Sequence, residues 1–135
     1  YNDKPYTFDS FCWHYDIVEK LPANSIVLSS NDNSDYQSFT FSRNNSEVWG
    51  VQYHPEFNSK WISGLISQRK SILLEEDFFS SEHDFNIMYN YLSDLNKYDS
   101  LKKDLEISDT LIDDKIRYRE LINWLTHLKD NFSSI

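Results

Sequence analysis

His54 and Glu56 stand two positions apart in the run Trp49-Gly50-Val51-Gln52-Tyr53-His54-Pro55-Glu56-Phe57. On extended backbone, residues two apart project to the same side. An imidazole and a carboxylate placed together where a strand meets solvent form the pair that aims and polarises a general base. His54 is thus the candidate base and Glu56 its candidate orienter. A nucleophile is harder to find. Cys12 is the only cysteine. It lies in Phe11-Cys12-Trp13-His14, with no glycine in reach, and reads as a small core residue on a buried strand.

Other chemistries fit less well. Zinc deaminases use an H-x-E pair, but with a following P-C-x-x-C, and no cysteine follows His54. His14, Asp16, His54 and Glu56 are all metal-ligand types, yet nothing in their spacing favours a metal site. No metal and no cofactor is assigned.

The elements that must position these residues follow from periodicity. Residues 1–10 read as extended. Phe11 to His14 reads as a short aromatic strand or strand end, and Asp16 to Pro22 as a turn or helical turn. Residues 25–30 are rich in β-formers, and 31–35 are dense in turn residues. Residues 36–42 alternate with period two, placing Phe39 and Phe41 on one face and Ser38 and Thr40 on the other. After a turn at 43–46, Trp49, Val51 and Tyr53 alternate with Gly50 and Gln52 in a buried strand over 47–53. Pro55 cannot join a ladder and ends it. The last two strands are close enough to pair as an antiparallel hairpin.

Beyond Glu56 the period becomes helical. Asn58 or Ser59 can cap a helix with a stripe of Trp61, Ile62, Leu65 and Ile66. Ser81 opens another, with Asp84 three residues on and a stripe of Phe85, Met88, Tyr89, Leu92 and Leu95. A short helical stretch lies near 99–106. The last helix is expected from Asp113 or Asp114 to Leu128, burying Tyr118, Leu121, Ile122, Leu125 and Leu128. Glu75-Glu76-Asp77 reads as a solvated turn, and Arg117 and Arg119 as partners for acids on neighbouring helices.

Composition narrows the classes. The chain has 135 residues, 39% hydrophobic and 16% aromatic, so it packs a core. A net charge of -9 opposes a nucleic-acid partner. No apolar run is long enough for a membrane span, and a lone cysteine fits a reducing cytoplasm. The chain starts at Tyr1 and has only 2 glycines, Gly50 and Gly64. Complete α/β enzymes use more glycine in their βα turns, so a piece of a larger domain is expected.

The run from Trp49 to Phe57 resembles the G-[IV]-Q-[FY]-H-P-E signature of class I (triad-type) glutamine amidotransferases. Trp13-His14-x-Asp16 followed by Leu21-Pro22 is similar to the family's W/S-H-x-D…L-P segment. Tyr36-Gln37-Ser38-Phe39 resembles its x-Q-A-F strand. Lys103-Asp104-Leu105 and Arg119 to Leu125 resemble the final helices of a stand-alone branch similar to the GMP synthase glutaminase domain. The ordered blocks cover nearly the whole chain.

The resemblance implies a Cys-His-Glu triad in which His54 is the base and Glu56 the orienter, with glutamine as substrate. It implies a substrate-binding role for the segment His14, Tyr15 and Asp16, and an ammonia-accepting synthetase domain or subunit as partner. The fold it implies is the later part of a flavodoxin-like α/β amidotransferase domain. Residues 1–80 would be the C-terminal part of that domain, and 81–135 a helical extension packed on it.

The family's nucleophile sits on a G-x-C-x-G elbow upstream of these blocks, where glycines permit the strained turn. No such elbow occurs here. Two readings follow: an amidotransferase portion carrying two of three triad residues, inactive alone, or a non-catalytic binding or regulatory relative.

Overall fold

Two asparagines shape the sheet. In the computed structural model, which describes residues 2–132, Asn44 and Asn45 both adopt positive φ, 50° and 61°. Asparagine tolerates that region, and two such residues make the turn whose twist suits a tight hairpin. They join β2 (Ser34–Arg43) to β3 (Ser46–Val51), with Arg43 opposite Ser46 and Phe39 opposite Gly50. Strand β1 (Ile26–Asn31) pairs with the other edge of β2, completing a three-stranded antiparallel sheet in the order β1-β2-β3. Its turn is closed by Asn31 Oδ1, which accepts from the backbone N–H groups of Asn33 and Ser34 at 3.0 and 2.9 Å.

Helices follow. Asn58 caps α1 (Ser59–Gln68) by accepting from Trp61 N at 2.8 Å. The chain breaks at Arg69, then forms α2 (Lys70–Glu75). Ser81 caps α3 (Glu82–Ser93), accepting from Asp84 N at 3.1 Å. Short turns α4 (Leu101–Asp104), α5 (Asp109–Ile112) and α6 (Asp114–Arg117) lead to α7 (Arg119–Phe132). The buried core is Phe11, Ile62, Ile66, Leu73, Phe85, Tyr91, Leu92 and Leu111. It is built by α1, α2, α3, α5 and the Phe11 segment, and no residue of the sheet belongs to it.

Several expectations are corrected. Residues 11–14 form no strand; a backbone bond, His54 N–H to Phe11 O at 2.7 Å, ties them alongside the His54 turn. Residues 16–22 form neither a turn nor a helical turn. The third strand stops at Val51, because the chain bends at 52–53 toward Phe11. It is not buried: Val48, Trp49 and Val51 are 37%, 37% and 44% exposed. The buried positions of β2 are instead polar, namely Ser34, Gln37 and Ser38. Trp61 faces solvent and leaves the α1 stripe to Ile62 and Ile66.

The last helix is split at Tyr118, where Asp113 caps the short α6 and the Arg117 side chain turns inward to donate to Leu111 O at 3.0 Å. Ile122 and Leu125 are exposed, while Glu120 is buried. Arg117 pairs with Asp114 of its own helix, and Arg119 lies 3.9 Å from Asp3, so neither of these ion pairs is with an acid of a neighbouring helix.

Candidate active site

His54 leaves the end of β3 through the bend and is fixed from three sides. Its backbone N–H donates to Phe11 O at 2.7 Å, and its carbonyl accepts from Phe57 N at 3.3 Å. Its ring stacks on Phe57 with centroids 4.1 Å apart and planes 5° from parallel. Pro55 is fully buried beneath the turn. The ring Nδ1 lies 2.8 Å from Glu56 Oε1. A carboxylate oxygen can only accept, so Nδ1 carries the proton and Nε2 keeps the lone pair that a general base needs. The His54 side chain is 30% exposed and that of Glu56 53%, so a reactant can reach the pair from solvent.

The second cluster lies on a separate loop. His14 Nδ1 is 2.8 Å from the Asp16 carbonyl, which again places the proton on Nδ1. That carbonyl also accepts from Gln52 Nε2 at 3.3 Å. A carbonyl oxygen has two lone pairs, so Asp16 C=O is already committed and any substrate contact must use other groups of the segment. Tyr15 is 84% exposed, and its hydroxyl donates to Glu76 Oε2 at 3.2 Å. The structure therefore joins His14 to Asp16, ties Asp16 to Gln52 two residues before His54, and sends the Tyr15 side chain toward the end of α2.

Cys12 is exposed, not a core residue. It lines a groove of about 890 Å³ between residues 4–12 and the β1–β2 hairpin, as do Gln37 and Tyr53. With His14 and Tyr15 it also lines a second groove of about 570 Å³ beside the helical core. Partial desolvation pushes its thiol up from the ordinary value, opposite to what a reactive thiolate requires. Among the described residues, no group of three or more His, Cys, Asp or Glu side chains could hold a metal ion. No helix among them is long and apolar enough to cross a membrane.

Sequence reasoning missed the scaffold behind His54. Tyr53 Oη donates to Glu120 Oε1 at 2.6 Å, and Lys4 Nζ donates to Glu120 Oε2 at 3.0 Å. Lys4 also donates to Ile116 O at 3.0 Å and sits 4.2 Å over the Phe8 ring. Phe8 in turn meets Tyr53 edge-on at 5.6 Å. The available signal was an acid, Glu120, beside the apolar positions of an amphipathic helix, whose partner is set by tertiary structure.

A mixed α/β arrangement with a His-Glu pair at the end of a hairpin strand invites comparison with known proteins. Residues 1–73 match the family described as Glutamine amidotransferase class-I. The match takes in more than half of the 135 residues, and the chain belongs to the class I glutamine amidotransferase family, whose domain is flavodoxin-like. Over 124 residues it is 27% identical to a gamma-glutamyl-L-1-hydroxyisopropylamide hydrolase of a Pseudomonas species, covering 90% of this chain and 42% of that protein.

The glutamine-hydrolyzing GMP synthase of Thermosipho melanesiensis is 37% identical over 70 residues, 47% of this chain and 13% of the synthase. That of Thermosipho africanus is 33% identical over 69 residues, with the same coverage, 47% and 13%. The chain thus spans less than half the length of these curated relatives. No solved structure matches it.

Proposed function

We propose that this chain supplies the base-and-orienter half of a thiol-dependent site that hydrolyses the side-chain amide of glutamine or a related γ-glutamyl amide. The observation that carries the reading is the 2.8 Å contact between His54 Nδ1 and Glu56 Oε1, which leaves Nε2 as the base. The thiol comes from a segment outside these 135 residues, since the only cysteine lacks a glycine elbow and has a raised pKa. The completed triad is Cys-His-Glu.

The chemistry balances as acyl transfer. The thiolate attacks the amide carbon, and the carbon–nitrogen bond breaks as the His54 imidazolium gives its proton to the leaving nitrogen. Water then attacks the thioester. His54 takes a proton from the water, and the thiol and a free carboxylate are released. Glu56 orients the ring and offsets the imidazolium charge without itself taking the proton. The segment His14, Tyr15 and Asp16 holds the α-amino and α-carboxyl end of the substrate. Glu120, in the first turn of α7, braces the His54 turn through Tyr53.

Two products are in view. With a synthetase partner, as the GMP synthase relatives suggest, the ammonia passes on. The alignment with the Pseudomonas hydrolase extends through the helical half, whereas the GMP synthase alignments cover only 47% of the chain. That coverage favours hydrolysis of a γ-glutamyl amide of a small amine. The lone cysteine and acidic surface fit a cytoplasmic setting.

The test is amide hydrolysis by the complete protein, with L-glutamine and a γ-glutamyl alkylamide as substrates. His54→Ala is expected to cost about 10²–10⁴ in kcat, and Glu56→Ala clearly less. Equal losses would overturn the assigned roles. An inactive complete protein would favour the non-catalytic amidotransferase-like reading. Glutaminase activity of residues 1–135 alone, abolished by Cys12→Ser, would overturn the external thiol.

A further inference from the structure

Residues 14–18 belong to no helix or strand, yet they are held in register with the strand that leads to His54. The holder is one side chain. Gln52 Oε1 accepts from the Val18 backbone N–H at 3.1 Å, and Gln52 Nε2 donates to the Asp16 carbonyl at 3.3 Å. The same residue's backbone N–H donates to Gln37 O at 2.8 Å, one rung beyond the last paired residue of β3.

We propose that Gln52 is a positioning residue. Its side-chain amide latches the 14–18 segment to the strand end and thereby sets affinity for the γ-glutamyl substrate. This rests on the reading above that His14, Tyr15 and Asp16 hold that substrate.

A carboxamide carries one acceptor and a donor pair on a single plane, as a peptide group does. Gln52 uses both ends on two backbone groups of one extended stretch, the Asp16 carbonyl and the Val18 N–H. The side chain thus replaces the missing rung of a ladder. Few residues can do this. Glutamate offers no donor when ionised, methionine offers neither end, and asparagine is a methylene short.

Asp16 O is also where His14 Nδ1–H lands, at 2.8 Å, so the latch helps to fix the His14 ring as well. The base is secured separately, because His54 N–H bonds to Phe11 O and its ring rests on Glu56 and Phe57. Cutting the latch therefore loosens the recognition segment while leaving the base in place. The expected signature is a change in KM rather than in kcat.

The complete protein is assayed with L-glutamine as probe, alongside amide hydrogen exchange. Gln52→Met is expected to raise KM about tenfold with kcat held within about threefold, and to speed Val18 amide exchange about tenfold. The His54 amide should exchange at its original rate. Gln52→Glu keeps the acceptor for Val18 but sets a carboxylate oxygen against the Asp16 carbonyl. Its KM relative to wild type should be raised at neutral pH and fall as the pH is lowered, because a protonated carboxyl regains a donor. A wild type active on L-glutamine whose KM is unchanged by Gln52→Met overturns the inference. So does a loss confined to kcat, or a Val18 amide that exchanges no faster. A wild type inactive on L-glutamine and on γ-glutamyl alkylamides overturns the functional reading and the affinity role together, and the exchange data then decide the latch on their own.

Discussion

Tyr53 and Glu120, 67 residues apart, share a 2.6 Å hydrogen bond in which the phenol donates to a buried carboxylate. Tyr53 immediately precedes the candidate base, and Glu120 lies in the first turn of α7. The C-terminal helix therefore supports the His54 turn from behind. The carboxylate is balanced by Lys4, 2.8 Å away, whose side chain is 2% exposed. Three distant parts of the sequence meet at one buried ion pair.

That pair predicts an ordered series of losses. Tyr53→Phe removes a hydrogen bond to a charged acceptor and should cost about 1.5–3 kcal/mol. Glu120→Gln leaves the Lys4 ammonium buried without its counter-charge and should cost more, about 3–5 kcal/mol. Burial pulls Lys4 below its ordinary 10.5, against the opposing pull of Glu120. The unfolded chain then binds more protons than the fold between the lowered value and 10.5. The Lys4 contribution to stability accordingly rises with pH across that alkaline window. Denaturant unfolding followed at neutral and alkaline pH checks both points. A Glu120→Gln loss no larger than that of Tyr53→Phe would contradict the buried-pair account.

Features written in short-range chemistry were legible in the sequence. The Asn44-Asn45 turn, the Asn58 and Ser81 caps and the Phe85/Leu92 stripe each depend on residues within one or two turns of each other. His54 and Glu56 also meet through local chemistry, but across the turn closed by Phe57 N–H and His54 O and not on the extended backbone that their spacing suggested. What was not legible depends on distant partners. Nothing local to Glu120 shows that it turns inward to Tyr53 and Lys4, so the last helix was expected to bury Ile122 and Leu125 instead. Nothing local to Gln52 shows that its amide meets the 14–18 loop. The exposure of Trp49 and Val51 was equally hidden, since alternation marks the faces of a strand without saying what covers them.

Gly50 offers a test of packing within the signature. It sits opposite Phe39, and a Cβ added there would lie 2.6 Å from Phe39 Cε2 and Cζ. The ring covers the glycine and must move if the position is filled. Gly50→Ala is expected to destabilise by about 1–3 kcal/mol. In a Phe39→Ala background the same substitution should cost little, because the obstructing ring is gone. A double-mutant cycle by thermal unfolding measures the coupling. Equal cost in both backgrounds would show that the ring is not the obstacle.

Cys12 can be separated from a catalytic thiol by its reactivity. Desolvation raises its pKa, so the thiolate is scarce at neutral pH although the residue is exposed. Its alkylation by iodoacetamide should be slow at pH 7 and accelerate with an inflection above the free-cysteine value of about 8.5. Mass spectrometry of the modified peptide over a pH series gives the profile. An inflection near or below neutrality would mean an activated thiolate and would reopen Cys12 as the nucleophile.

The contact between β3 and α7 should respond to acid. Glu47 accepts from Trp49 Nε1–H at 2.9 Å and lies 2.8 Å from His127 Nε2, while the Trp49 and His127 rings stand 5.1 Å apart. The Trp49 bond, followed by that of His127, holds the Glu47 carboxyl below its ordinary 4.5. A carboxylate so depressed stabilises the fold above its unfolded value, and that contribution is lost as the pH falls through the folded value. The tie between strand and helix therefore stands at neutral pH and weakens only below 4.5. The Trp49 indole N–H, followed by NMR as the pH is lowered, should shift with a midpoint under that value. Glu47→Gln keeps an acceptor for the indole but removes the carboxyl, so the transition below 4.5 should vanish. A midpoint above 4.5, or a transition that survives Glu47→Gln, would place the acid-sensitive contact elsewhere.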